Sequence, residues 1–101
     1  MKLITKEIAN KLAKNVGDAA VDKPWLKLYN PAGVGTWLIT EYDEKTGDMF
    51  GLCDLGFPEL GYVNLKELED LDLPFGLKIE RDVWWEPEKV LAEYVKENDC
   101  G

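Results

Sequence analysis

The chain has no histidine and no serine. An imidazole is the usual base that turns a hydroxyl or thiol into a nucleophile, so a serine or cysteine attacking with imidazole help is excluded. Cysteine is scarce. Cys53 falls inside an expected strand and Cys100 next to the C-terminus, with neither paired spacing nor histidine company, which argues against a zinc site or a redox motif. Both read as reduced thiols, and Asp54 beside Cys53 favours the protonated form. No segment approaches the roughly 20 apolar residues needed to span a bilayer, and the start, Met1-Lys2-Leu3-Ile4-Thr5-Lys6-Glu7, lacks the apolar run of a signal peptide. A cytoplasmic protein is expected. Glycines 51, 56, 61 and 76 are not arranged as a phosphate cradle followed by lysine and a hydroxyl residue, and the charge around them has the wrong sign for phosphate.

What is present points to one small domain. The 101 residues, 46% of them hydrophobic, are enough for one core and too few for two, so residues 1–101 are read as a single α+β domain. Twenty acids against 12 bases give a net charge of -8, which disfavours nucleic acid and anionic membrane as direct partners, since both are polyanions. The charge is uneven. Residues 1–35 hold six lysines and three acids, whereas residues 36–101 hold six bases and seventeen acids.

Hydrophobic periodicity outlines the elements. Ile8, Leu12 and Val16 recur at helical spacing from Thr5, a cap, towards Gly17, a stop. Trp25 to Asn30 alternates as a strand, and Thr36 to Tyr42 comes next as another, with Trp37 and Ile39 on one side and Leu38, Thr40 and Tyr42 on the other. The run from Asp43 to Asp48 reads as a hairpin turn with Gly47 at positive φ, pairing that strand with Met49 to Leu55. Glu59 to Val63 gives a further strand. Asn64 then caps a short helix that ends near Leu71, before Leu73-Pro74. From Leu77 to Trp84 the period is two again, and Pro87 is placed as the first residue of a terminal helix carrying Val90, Leu91, Tyr94 and Val95. The expected fold is an antiparallel sheet of about five strands with N- and C-terminal helices and one short internal helix, the helices covering one face.

Several stretches also carry a family likeness: Ile4-Thr5-Lys6-Glu7, Trp37-Leu38-Ile39-Thr40-Glu41-Tyr42-Asp43, Phe50-Gly51-Leu52, Glu59-Leu60-Gly61-Tyr62, Leu68, and Gly76-Leu77-Lys78-Ile79-Glu80-Arg81-Asp82. In these, from Leu3 to about Pro87, the chain resembles a group of small bacterial proteins classed as a domain of unknown function and common on plasmids and other mobile elements. The resemblance implies a bacterial cytoplasmic setting and a link to mobile elements, where small acidic proteins inhibit host defence systems. It brings no activity and no cofactor.

Two sets of residues are candidates for function. Glu41 with Asp43, and Glu80 with Asp82, place two carboxylates on one strand face each; on neighbouring strands the four would suit a divalent metal or acid–base hydrolysis, though acids at strand ends are more often simply solvated. Arg81 is expected to pair with an acid on an adjacent strand. Glu67, Glu69, Asp70 and Asp72 crowd the short helix and its exit, where they either aid solubility or imitate the phosphate track of a nucleic acid. Trp84 and Trp85 are adjacent on a strand and must face opposite ways. Alternation puts Trp84 on the wet face with Glu80 and Asp82, as an interface anchor or under the final helix, and Trp85 in the core. These features together read as a non-enzymatic protein-interaction module without a cofactor. It would bind the basic, nucleic-acid-binding surface of a host protein, as an anti-CRISPR or anti-restriction inhibitor does. A metal-dependent hydrolase using the strand carboxylates is the alternative, and the oligomeric state is left open.

Overall fold

The computed structural model describes residues 2–98. Four strands form a meander, β1 (Leu26–Tyr29), β2 (Thr36–Tyr42), β3 (Asp48–Asp54) and β4 (Pro58–Asn64), and β5 (Glu80–Arg81) adds beyond β1. The order is β4-β3-β2-β1-β5, and each neighbouring pair is antiparallel. Three helices accompany the sheet: α1 (Lys6–Ala13), α2 (Leu65–Asp70) and α3 (Leu91–Asn98). The class is α+β, with the strand number and the order of the three helices along the chain expected from the sequence.

Local chemistry explains most boundaries. Thr5 Oγ1 accepts the amide of Ile8 at 3.2 Å and starts α1; Asn64 Oδ1 accepts those of Lys66 and Glu67 at 3.0 and 3.3 Å and starts α2. The turn after β2 closes through Asp43 N to Asp48 O and Gly47 N to Asp43 O, both 2.8 Å, with Gly47 at φ 81°. Leu65 N donates to Gly47 O at 2.8 Å, and Asn64 Nδ2 donates to Thr46 O at 3.1 Å. These bonds stitch the turn to the start of α2.

The helices do not share one face. Leu12 of α1 and Leu68 of α2 pack with Leu26, Leu28, Trp37, Ile39 and Met49, whereas Leu91 of α3 packs with Leu38 and Leu52. Strand alternation sends those two sets of strand residues to opposite sides, so the sheet is covered from both. The physical reason is visible in β2, whose central residues Trp37 to Thr40 are all buried. Thr40 is also a bulge, the register shifting between Ile39 and Glu41. The extra residue reverses the facing of the strand beyond it, so Tyr42 joins Ile39's side and packs on the larger core, not the side of Leu38.

The C-terminal third departs most from its periodicity. The strand expected from Leu77 shrinks to two residues, paired as Leu28↔Arg81 and Tyr29↔Glu80. Upstream, Pro74–Gly76 forms a 3-10 turn, and downstream Asp82 stops the ladder: its carboxylate accepts Trp84 N at 3.0 Å and its carbonyl accepts Trp85 N at 3.2 Å. The terminal helix starts at Leu91, four residues after Pro87, because its first amides find acceptors only there. Leu91 N donates to Asp22 O at 2.8 Å and Ala92 N to Ala19 O at 2.9 Å.

Those acceptors belong to a segment that reads as an ordinary loop. Asp22 is buried, and its carboxylate accepts three consecutive amides, Val16, Gly17 and Asp18, at 2.8–2.9 Å. Asn15 Nδ2 donates to the carbonyls of Lys23 and Thr40 at 2.9 and 2.8 Å. Three backbone donors offset the cost of burying this carboxylate. Residues 15–23 therefore tie the end of α1, the bulge of β2 and the start of α3 together.

Candidate interaction site

The two carboxylate pairs are not on neighbouring strands, contrary to the sequence-based expectation. β1 lies between β2 and β5, and β5 meets β1 at the end that faces Thr36 and Trp37, away from Glu41. Two strand spacings and five residues of rise put Glu41 and Glu80 roughly 19 Å apart. Asp82 is engaged by Lys27 Nζ at 3.8 Å and by Trp84 N, and Arg81 donates to the carbonyl of Lys2, not to an acid on an adjacent strand. Among the described residues no group of three or more His, Cys, Asp or Glu is placed to hold a metal ion. Cys53 is half-buried, and burial first, then Glu59 across the ladder, pushes its thiol up. Glu59 takes the part expected of Asp54. Cys100 lies outside the described residues.

The tryptophan pair divides at the turn after β5. Trp84 is 89% exposed. Trp85 is half-buried: its Nε1 donates to Pro24 O at 2.7 Å, and its ring lies 5.5 Å from that of Tyr94 in α3. Lys27 Nζ sits 5.1 Å from the Trp85 ring and Lys11 Nζ 5.1 Å from the Trp25 ring. Between α1, β1 and the segment after β5 is a cleft of about 770 Å³ lined by these rings, Trp84 and both lysines. Trp25 and Lys11 were not among the candidates. Their signal is a lysine in α1 that comes over an aromatic only when the helix packs.

The acids of α2 differ among themselves. Asp70 is paired with Lys66 at 3.0 Å and Asp72 with Lys78. Lys78 holds the Asp72 carboxyl below the usual range through hydrogen bond and charge. Glu67 and Glu69 carry no ion pair among the described residues. Glu69 instead approaches the β2–β3 turn: the Tyr42 phenol is pushed up by burial first and then by Glu44, Glu69 and Asp43. The bond from Leu65 N to Gly47 O holds this acidic turn against the start of the acidic helix, which adds Glu44 to the set.

Glu80 joins this surface to Trp84. It lines a cleft of about 440 Å³ with Glu69, Lys78 and Leu3, and a second of about 500 Å³ with Trp84, Lys27 and Tyr29. The candidates Glu69, Glu80 and Trp84 consequently run around the short β5 edge, while Glu67 lines a separate cleft beside α2 with Asp70 and Asp72. Asp82 lies along the same path with Lys27 as its counter-ion. No described helix is long and apolar enough to cross a membrane.

Comparison with protein-family models matches residues 3–100 to one described as "Protein of unknown function (DUF2958)". The match runs past Pro87, where the motif likeness stops, and takes in α3. No curated protein and no solved structure matches the chain.

Proposed function

The chain belongs to the DUF2958 family of proteins of unknown function, and we propose from its own geometry that it is a non-enzymatic protein-binding domain. The observation that carries this reading is the place of Glu80 in two adjoining clefts, one shared with Glu69 and the other with Trp84. An exposed tryptophan in one cleft with Glu80, which carries no ion pair among the described residues, suits a basic protein surface: the ring supplies an anchor to bury, and the acids supply steering and register. The finer reading is an anti-defence inhibitor in a bacterial cytoplasm, whose acids stand where nucleic-acid phosphates would lie on its target. Net charge and the family likeness support it.

The test is affinity capture from a bacterial lysate with three baits: wild type, Trp84→Ala, and Glu67→Lys with Glu69→Lys. Asp70 and Asp72 are left alone because their reversal would set like charges against Lys66 and Lys78. A partner of this surface is retained by wild type and lost from both variants, Trp84→Ala weakening it by about 2 kcal/mol. Its association slows as the Debye length falls from about 30 Å at 0.01 M salt to about 10 Å at 0.1 M. Capture that is equal for all three baits and indifferent to salt refutes the proposal.

A further inference from the structure

We propose that β4 is a self-pairing edge, at which two copies of this chain join their sheets antiparallel about a two-fold axis through Gly61. β4 is the outermost strand, seven residues long, and its register against β3 runs unbroken from Asp48↔Asn64 to Asp54↔Pro58. The bond from Leu65 N to Gly47 O sets the phase of that ladder. Residues 59, 61 and 63 turn their amides and carbonyls to β3, and residues 58, 60 and 62 turn theirs outward. Pro58 falls in the outward set, where a missing N–H takes nothing from the β3–β4 ladder.

Natural sheets blunt such an edge with lysine, a bulge or a covering segment. β4 has no lysine and no bulge, and among the described residues no strand lies beyond it. It presents Tyr62, 75% exposed and edge-on to Phe50 at 5.0 Å, and Leu60, 46% exposed.

Gly61 is the second observation. Its ladder partner Gly51 is required within one copy, because a Cβ there would come within 1.9 Å of the Leu38 carbonyl oxygen. A Cβ on Gly61 meets nothing within 4 Å, and its φ is not in the left-handed region. Glycine inside a strand costs about 0.5–1 kcal/mol relative to alanine, and where a strand keeps one, another backbone often passes close.

The strand is complementary to itself. With the axis at Gly61, Leu60 of each copy faces Tyr62 of the other, and the outward donors and acceptors of both residues are met by four hydrogen bonds. Glu59, the only charged residue of β4, faces Val63 and not itself. Moving the register by two residues one way sets Pro58, without an N–H, against Tyr62; moving it the other way sets Leu60 against Asn64, which is committed to capping α2. Two copies of charge -8 repel at long range, so this association strengthens with salt, the reverse of steering to a basic partner.

Sedimentation equilibrium of the full chain under reducing conditions is expected to give a mass approaching twice 11.5 kDa as protein and salt concentration rise. Leu60→Lys alone should leave a folded monomer that melts as wild type does at concentrations too low for the dimer, and adding Tyr62→Glu should restore the dimer, because the two new charges then face each other twice. In a background of Cys53→Ala and Cys100→Ser, Gly61→Cys should cross-link the dimer through a disulfide on mild oxidation. That position becomes a non-hydrogen-bonded pair with Cα atoms about 4.5 Å apart. A monomer at every concentration and salt, or a dimer indifferent to Leu60→Lys, overturns the proposal. So does a monomeric wild type whose β4 instead takes up an unrelated extended peptide.

Discussion

At one edge of the sheet β5 contributes two residues before Asp82 turns the chain away, and Arg81 fastens it to the carbonyl of Lys2. At the other edge β4 runs seven residues, and among the described residues no strand lies beyond it. The first edge is short, flanked by turns and surrounded by charge and clefts; the second is long, regular and apolar. A short edge offers a partner side chains, whereas a long regular one offers it backbone. The two edges therefore suit different kinds of contact, a basic surface around Glu80 and Trp84 and a copy of the same strand along Leu60 and Tyr62.

The largest expected effect that sharpens this contrast concerns the paired glycines that separate the open edge from the interior. Gly51→Ala should destabilise the protein by more than about 4 kcal/mol or prevent folding, because the new methyl must displace the β2 backbone at Leu38. Chemical denaturation reads it directly, and a near-native variant would show that β2 and β3 can separate freely. At the short edge, Trp85→Ala should cost about 3 kcal/mol through the lost ring contact with Tyr94 and the lost bond to Pro24 O. Trp84→Ala should change stability by less than about 0.5 kcal/mol. Equal losses for the two would make the exposed ring part of the fold. At the open edge the change has the opposite sign: Gly61→Ala should raise the stability of the monomer by about 0.5–1 kcal/mol. A loss there would mean that the strand needs its glycine within a single copy.

Much of the fold was legible wherever a decision is local. β2 begins and ends where β-branched and aromatic residues do, Asn64 and Thr5 cap the helices they precede, and Gly47 turns the hairpin. The errors fall where distant groups compete. Leu77 to Trp84 keeps a strand period, yet only Glu80 and Arg81 pair with β1 and Asp82 N adds one last bond to Lys27 O, because β1 itself is four residues long and the Asp82 carboxylate caps a turn. The bulge at Thr40 reverses Tyr42, and no periodicity announces a bulge. Of the candidate site, Trp84 is exposed, but alternation is not the cause: β5 ends at Arg81, Trp84 sits in the turn beyond it, and Val83, expected on the opposite face, is exposed as well. The separation of Glu41 from Glu80 was not legible, since it depends on β5 joining beyond β1.

By itself the sequence determined the chemistry the chain lacks, the α+β class, the hairpins and the excess of acid in its second half. These depend on residue types and on contacts a few positions apart, which the chain carries wherever it goes. Only the tertiary structure decided that the helices take opposite faces, that Asp22 receives three amides while its carbonyl meets the first turn of α3, and that Glu69, Glu80 and Trp84 trace one path around β5. Each of these joins groups from separate segments, and a buried carboxylate or an exposed ring takes its meaning from what the rest of the chain brings to it.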